Sequence, residues 1–146
     1  MSSFGPCCAN AGGVYIESSA TFYTYDRTAG QSSYTTSQLV QHEFGHYLNG
    51  RYLFPGIYGE SGYFAQPKLW ADEGFAEVLA GLTFDSSGGY TLHPHNVEES
   101  LVCKASSRPN LTTTINESVY SSTTYPHGWA LAYFLTTEKH DMCAVS

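Results

Sequence analysis

The chain has 146 residues, 13 acidic against six Lys or Arg, for a formal charge of −7. That length suits one domain, and that sign disfavours nucleic acid as a partner. Hydrophobic residues make up 42 % and charged residues 13 %, enough apolar material for a core and too little charge for a disordered chain. The longest apolar run, Trp129–Leu135, has seven residues, whereas a bilayer span needs roughly 20, so no membrane partner is expected. Cys7, Cys8, Cys103 and Cys143 are even in number and show no Cys-x-x-Cys spacing. They point to disulfides in an oxidising, extracellular setting, with the pairing open. Met1–Phe4 carries neither the basic nor the apolar part of a signal peptide.

Gly12 to Asp26 reads as a hairpin: Val14-Tyr15-Ile16 and Thr21-Phe22-Tyr23-Thr24-Tyr25 are β-branched and aromatic runs around Ser18-Ser19. Ser37 is the expected N-cap of a helix running through Leu39, Val40, Phe44 and Leu48 to a stop at Asn49-Gly50. Pro55, Pro67 and the glycines between them predict a loop over 51–67, a length that usually serves function. A second helix follows from Leu69 to Ala80; its interior Gly74 costs about 1 kcal/mol, which close packing would excuse. Turn and short strand are expected over 83–96, and a Ser/Thr-rich loop with a short helix near 116–120 over 104–126. A third, buried helix is expected over Gly128–Glu138. No repeat or second domain is evident, so residues 1–146 read as one core, whole or truncated, and nothing in the sequence sets an oligomeric state.

His42-Glu43-Phe44-Gly45-His46 matches H-E-x-x-H inside the first helix. At 3.6 residues per turn both imidazoles lie on one face and can reach one Zn²⁺. Glu43 lies about 100° around the helix, where its carboxylate can hold the attacking water instead of the ion. A chance match is expected on the order of once per hundred such chains. A third ligand is needed. Tyr52 stands where a metzincin would have its third histidine, which leaves a glutamate of the following helix, and Glu73 is the expected ligand. Glu77, one turn further, is placed to accept from the Nδ1–H of a ligating histidine.

The run His42-Glu43-Phe44-Gly45-His46-Tyr47-Leu48-Asn49-Gly50-Arg51-Tyr52, followed by Trp70-Ala71-Asp72-Glu73-Gly74-Phe75-Ala76-Glu77, resembles the peptidase domain of bacterial collagenases, a gluzincin family. Gly12-Gly13-Val14-Tyr15-Ile16-Glu17 is also similar to that family's edge strand. The resemblance implies an α+β, zincin-like (thermolysin-like) core: a small edge-strand sheet or hairpin, an H-E-x-x-H helix and a glutamate helix. It implies zinc on His42, His46 and Glu73, Glu43 as general base, and Val14, Tyr15 and Ile16 as the edge that pairs with substrate backbone. It further implies calcium on Glu17, Leu53, Phe54 and Gly56, and an oxyanion donor at His127 or Tyr125, with His127 nearest the expected place. The implied activity is zinc-dependent endoproteolysis of collagen-like, gelatin-like or other extended peptides. The family's large activator region has no counterpart in this sequence. The rival readings are a non-catalytic, zinc-stabilised peptide-binding module and another gluzincin peptidase.

For the remaining candidates the plainer reading stands. Trp70, Phe75, Tyr47 and Trp129 are expected in the core, His93 and His95 in a loop, and His140 at the surface. Asp72 and Asp85 are expected as helix-start and turn residues.

Overall fold

The computed structural model describes residues 12–26, 28, 30, 32–55, 58, 68–93, 102, 109–121 and 124–138. The four cysteines, Gly56, His95 and His140 lie outside them. Strands β1 (Gly13–Ile16) and β2 (Thr21–Thr24) pair antiparallel, with Gly13 opposite Thr24 and Ile16 opposite Thr21. The 3₁₀ turn Glu17–Ser19 and a left-handed Ala20 connect them.

Helix α1 spans Thr36–Leu48 and is capped by Thr35, not Ser37. The reason lies three residues on. Gln38 returns the hydrogen bond from Thr35, completing a capping box, whereas the corresponding residue for Ser37 would be Val40, which has no acceptor. The expected stop at Asn49-Gly50 is also displaced, because the chain continues as one π-helical turn, Asn49–Leu53. Gly50 allows a close approach there: a Cβ would sit 2.8 Å from Glu17 Oε2.

Helix α2 (Leu69–Ala80) leads into the antiparallel pair β3 (Leu82–Phe84) and β4 (Tyr90–Leu92). Asp85 closes that turn by accepting from the backbone N–H of Ser87 and Gly89. The short helix is α3, at Leu111–Asn116 and not near 116–120. Asn110 caps its start by accepting from Thr113 N at 2.8 Å, and Glu117 is already extended. Helix α4 begins at Thr124, four residues before Gly128, with Pro126 tolerated in its first turn. Among the described residues no helix is long and apolar enough to cross a membrane.

Helix α2 lies between α1 and α4, and glycines set both crossings. A Cβ on Gly45 would stand 2.7 Å from Ala76 Cα, and one on Gly74 would run into the Gly128 carbonyl. The interior glycine of α2 is therefore explained by backbone-to-backbone packing. The core on this side consists of Val78, Trp129 and Ala132, with Phe75, Leu92 and Tyr133 against it. Trp129 is buried and Phe75 borders the cluster, as expected. Trp70 is half-buried beside Phe75. Tyr47 belongs to another group, stacked on Phe44 and edge-on to Tyr15.

Candidate metal centre

One turn of α1 separates His42 and His46, and their rings meet at 4.7 Å and 82°. The two Nε2 atoms are 3.0 Å apart. Across the crossing, Glu73 of α2 brings its Oε2 to 3.4 Å from His42 Nε2 and 3.5 Å from His46 Nε2. A tetrahedral cation with bonds of about 2.0–2.1 Å separates its ligands by roughly 3.3–3.4 Å, so these spacings fit one shared ion. Glu73 Oε2 is buried and accepts no hydrogen bond, a costly state that a cation would relieve. Among the described residues, His42, His46 and Glu73 form the one group of three able to hold a metal ion.

Each of these side chains is also held from behind. Glu77 Oε1 lies 3.1 Å from His42 Nδ1, the contact expected from its position one turn beyond Glu73. Asp72 Oδ1 lies 3.0 Å from His46 Nδ1 and accepts from Asn49 Nδ2 at 3.0 Å. Asn49 Nδ2 also reaches the Asp72 carbonyl at 2.9 Å, tying the end of α1 to α2. Asp72 is a first-turn acid of α2, as expected, and it is also 1 % exposed and faces a histidine. Tyr120, which sequence reasoning passed over, donates to Glu73 Oε1 at 2.7 Å.

The electrostatics follow this geometry. Burial alone would lower His42, but the neighbouring carboxylates of Glu73 and Glu77 outweigh it and push the imidazole up to about 9. Burial likewise opposes the charge on His46, yet Glu73 and Asp72 hold it well above its ordinary value. For Glu73, burial favours the neutral form, and the two histidines override it and keep the carboxylate ionised. Glu43 is buried against Gly13, where a Cβ would collide with its carboxylate. Burial raises it, His42 and His46 oppose that, and Glu73 and Asp72 add to it. A carboxyl raised in this way is suited to carrying a proton between water and a leaving group.

The other predicted residues fall in two places. Tyr125 stands beside the centre, its ring 6.4 Å from that of His42 and 6.2 Å from that of Tyr120. Burial and then the carboxylates of Glu73 and Glu77 keep its phenol protonated. His127 is two residues on, about 200° around α4 from Tyr125, so one helix cannot turn both toward the metal group. Val14, Tyr15 and Ile16 lie on β1, whose partner among the described residues is β2 alone. The Tyr15 hydroxyl donates to Glu17 Oε2 at 2.5 Å; burial and Glu17 push that phenol up to about 12. Glu17 also pairs with Arg51, so a guanidinium supplies the positive charge there. Leu53 ends the π turn, and Phe54 follows it with its N–H bonded to the Asn49 carbonyl.

A hairpin, an H-E-x-x-H helix and a glutamate helix converging on one donor group form an α+β arrangement of the zincin type. The sequence model of the collagenase peptidase family matches residues 3–145, and the chain belongs to that family. It is 36 % identical over 133 residues to collagenase ColA of Clostridium perfringens, covering 90 % of this chain and 12 % of that protein. It is 37 % identical over 139 residues to collagenase ColA of Bacillus cereus, covering 90 % and 14 %. Over 75 residues it is 49 % identical to collagenase ColQ1 of Bacillus cereus strain Q1. The chain thus spans roughly an eighth of the ColA relatives' length.

Proposed function

We propose that this chain is a zinc-dependent endopeptidase core acting outside the cell on collagen-like, gelatin-like or other extended peptides. The observation that carries the reading is the convergence of His42 Nε2, His46 Nε2 and Glu73 Oε2 at tetrahedral spacing beside the buried Glu43. Zinc held by these three side chains would supply Lewis acidity, polarising the scissile carbonyl and easing the deprotonation of water near pH 7. Glu43 takes the proton from the attacking water and returns it to the departing amine. Asp72 and Glu77 fix the imidazoles with Nε2 inward. Tyr125 is preferred over His127 as the donor to the developing oxyanion, because its ring lies next to His42. The edge of β1 opposite β2 offers backbone pairing for an extended substrate along Val14–Ile16. The even cysteine count supports the extracellular setting. Calcium is left out of the proposal, because Glu17 already pairs with Arg51.

The test is cleavage of gelatin and of a quenched peptide blocked at both ends, with and without 1,10-phenanthroline. Chelator-sensitive cleavage of the blocked peptide supports the endopeptidase. Stoichiometric zinc without turnover would point to a binding module, and cleavage restricted to free amino termini to an exopeptidase.

Zinc uptake should also depend on pH. Metal-free His42 is protonated up to about pH 9, and His46 is raised as well, so binding must displace protons. Because these folded values exceed the unfolded one, the stability they contribute is complete below about pH 6.5 and is lost as pH rises through about 9. The melting temperature of the metal-free protein is therefore expected to fall from pH 6.5 to 9 while zinc affinity climbs. Calorimetry in buffers of different ionisation enthalpy should show proton release at pH 7; none would mean the imidazoles are already neutral.

A further inference from the structure

The two carboxylate oxygens of Glu73 are treated differently. Oε2 faces His42 and His46 and accepts no hydrogen bond, whereas Oε1 takes the hydroxyl of Tyr120 at 2.7 Å. A glutamate has one more rotatable bond than an aspartate. Buried at 3 % exposure with one oxygen unheld, it could swing to offer both oxygens to a cation. Tyr120 reaches it from the segment between α3 and α4, 47 positions along the chain from Glu73, so the bond is tertiary and not a by-product of helix geometry. Asp72 and Glu77 perform the matching service for the two imidazoles from α2 itself. We propose that Tyr120 is a positioning residue for the metal centre: its hydroxyl holds Glu73 Oε1 outward, so that the glutamate presents a single oxygen and a coordination position stays open for solvent and substrate. The inference rests on the reading of His42, His46 and Glu73 as ligands. It gives Tyr120 a role distinct from that of Tyr125, whose hydroxyl makes no hydrogen bond to Glu73.

The experiment uses cobalt in place of zinc, because the intensity of cobalt's visible absorption reports coordination number. Tyr120→Phe removes only the hydroxyl. The variant is expected to bind cobalt and zinc about 10- to 100-fold more weakly, with a weaker cobalt band that signals an added ligand oxygen. Tyr125→Phe, which deletes the neighbouring hydroxyl, is expected to leave affinity and spectrum as in the parent. If Tyr120→Phe keeps the parent's affinity and band but turns over peptide more slowly, Tyr120 acts on the transition state, and the positioning role is overturned. Equal changes in both variants would overturn it too, by tracing the effect to the aromatic pair and not to the bond. A parent protein that takes up no cobalt or zinc would overturn the ligand reading itself, and the inference with it.

Discussion

Replacing Glu43 with Gln is expected to lower peptide hydrolysis by about 10²- to 10⁴-fold while zinc remains stoichiometric. Glu43 is absent from the donor group formed by His42, His46 and Glu73, so under the proposed mechanism its loss removes a proton carrier without removing a ligand. Burial raises this carboxyl above its usual range, which brings it closer to the working pH and makes the proton easier to take and return. Glutamine keeps the shape needed beside Gly13, where no side chain beyond hydrogen fits. The two readouts are steady-state cleavage of a blocked peptide and metal content after gel filtration. Activity within a few-fold of the parent would assign the proton transfer to another group.

Asp72→Ala is expected to weaken zinc binding about 10- to 100-fold and to destabilise the metal-free fold by about 3 kcal/mol. Two donors, His46 Nδ1 and Asn49 Nδ2, share Asp72 Oδ1 at 3.0 Å. Each buried donor left without its acceptor costs about 1–3 kcal/mol. Asp72→Asn keeps the volume and a carbonyl acceptor while removing the negative charge. It should therefore recover much of the stability and less of the metal affinity. Urea melts and competition with a chromogenic chelator separate the two effects. A variant that loses neither would return Asp72 to the helix-start role its position in α2 suggests.

The parts of the centre that depend on local periodicity were legible in the sequence. The separation of His42 and His46 by one turn, and of Glu73 and Glu77 by another, follows from 3.6 residues per turn, and these four side chains meet at the crossing of α1 and α2. Features set by tertiary packing were not. Asp72 carries no periodic signal distinguishing it from an ordinary first-turn acid, and Tyr120 reaches Glu73 from a polar segment that reads as loop. The cap of α1 was displaced by two residues because a reciprocal partner, Gln38, decides between neighbouring hydroxyl residues. Helix α4 begins early because proline is tolerated in a first turn, which sequence alone reads equally well as a break. The choice between Tyr125 and His127 turned on that same boundary, since only a helical segment separates them by about 200°.

The contact between Gly45 and Ala76 bears on how this site can vary among proteins of its kind. With main chain against main chain at that point, the gap between the two ligand-bearing helices is fixed by covalent geometry and not by side-chain rotamers. Changes elsewhere, such as at the exposed Phe84 and Tyr90 of the second hairpin, leave that gap untouched. The same contact makes position 45 intolerant: a side chain there would meet the Ala76 backbone and push apart the helices that carry His42, His46 and Glu73.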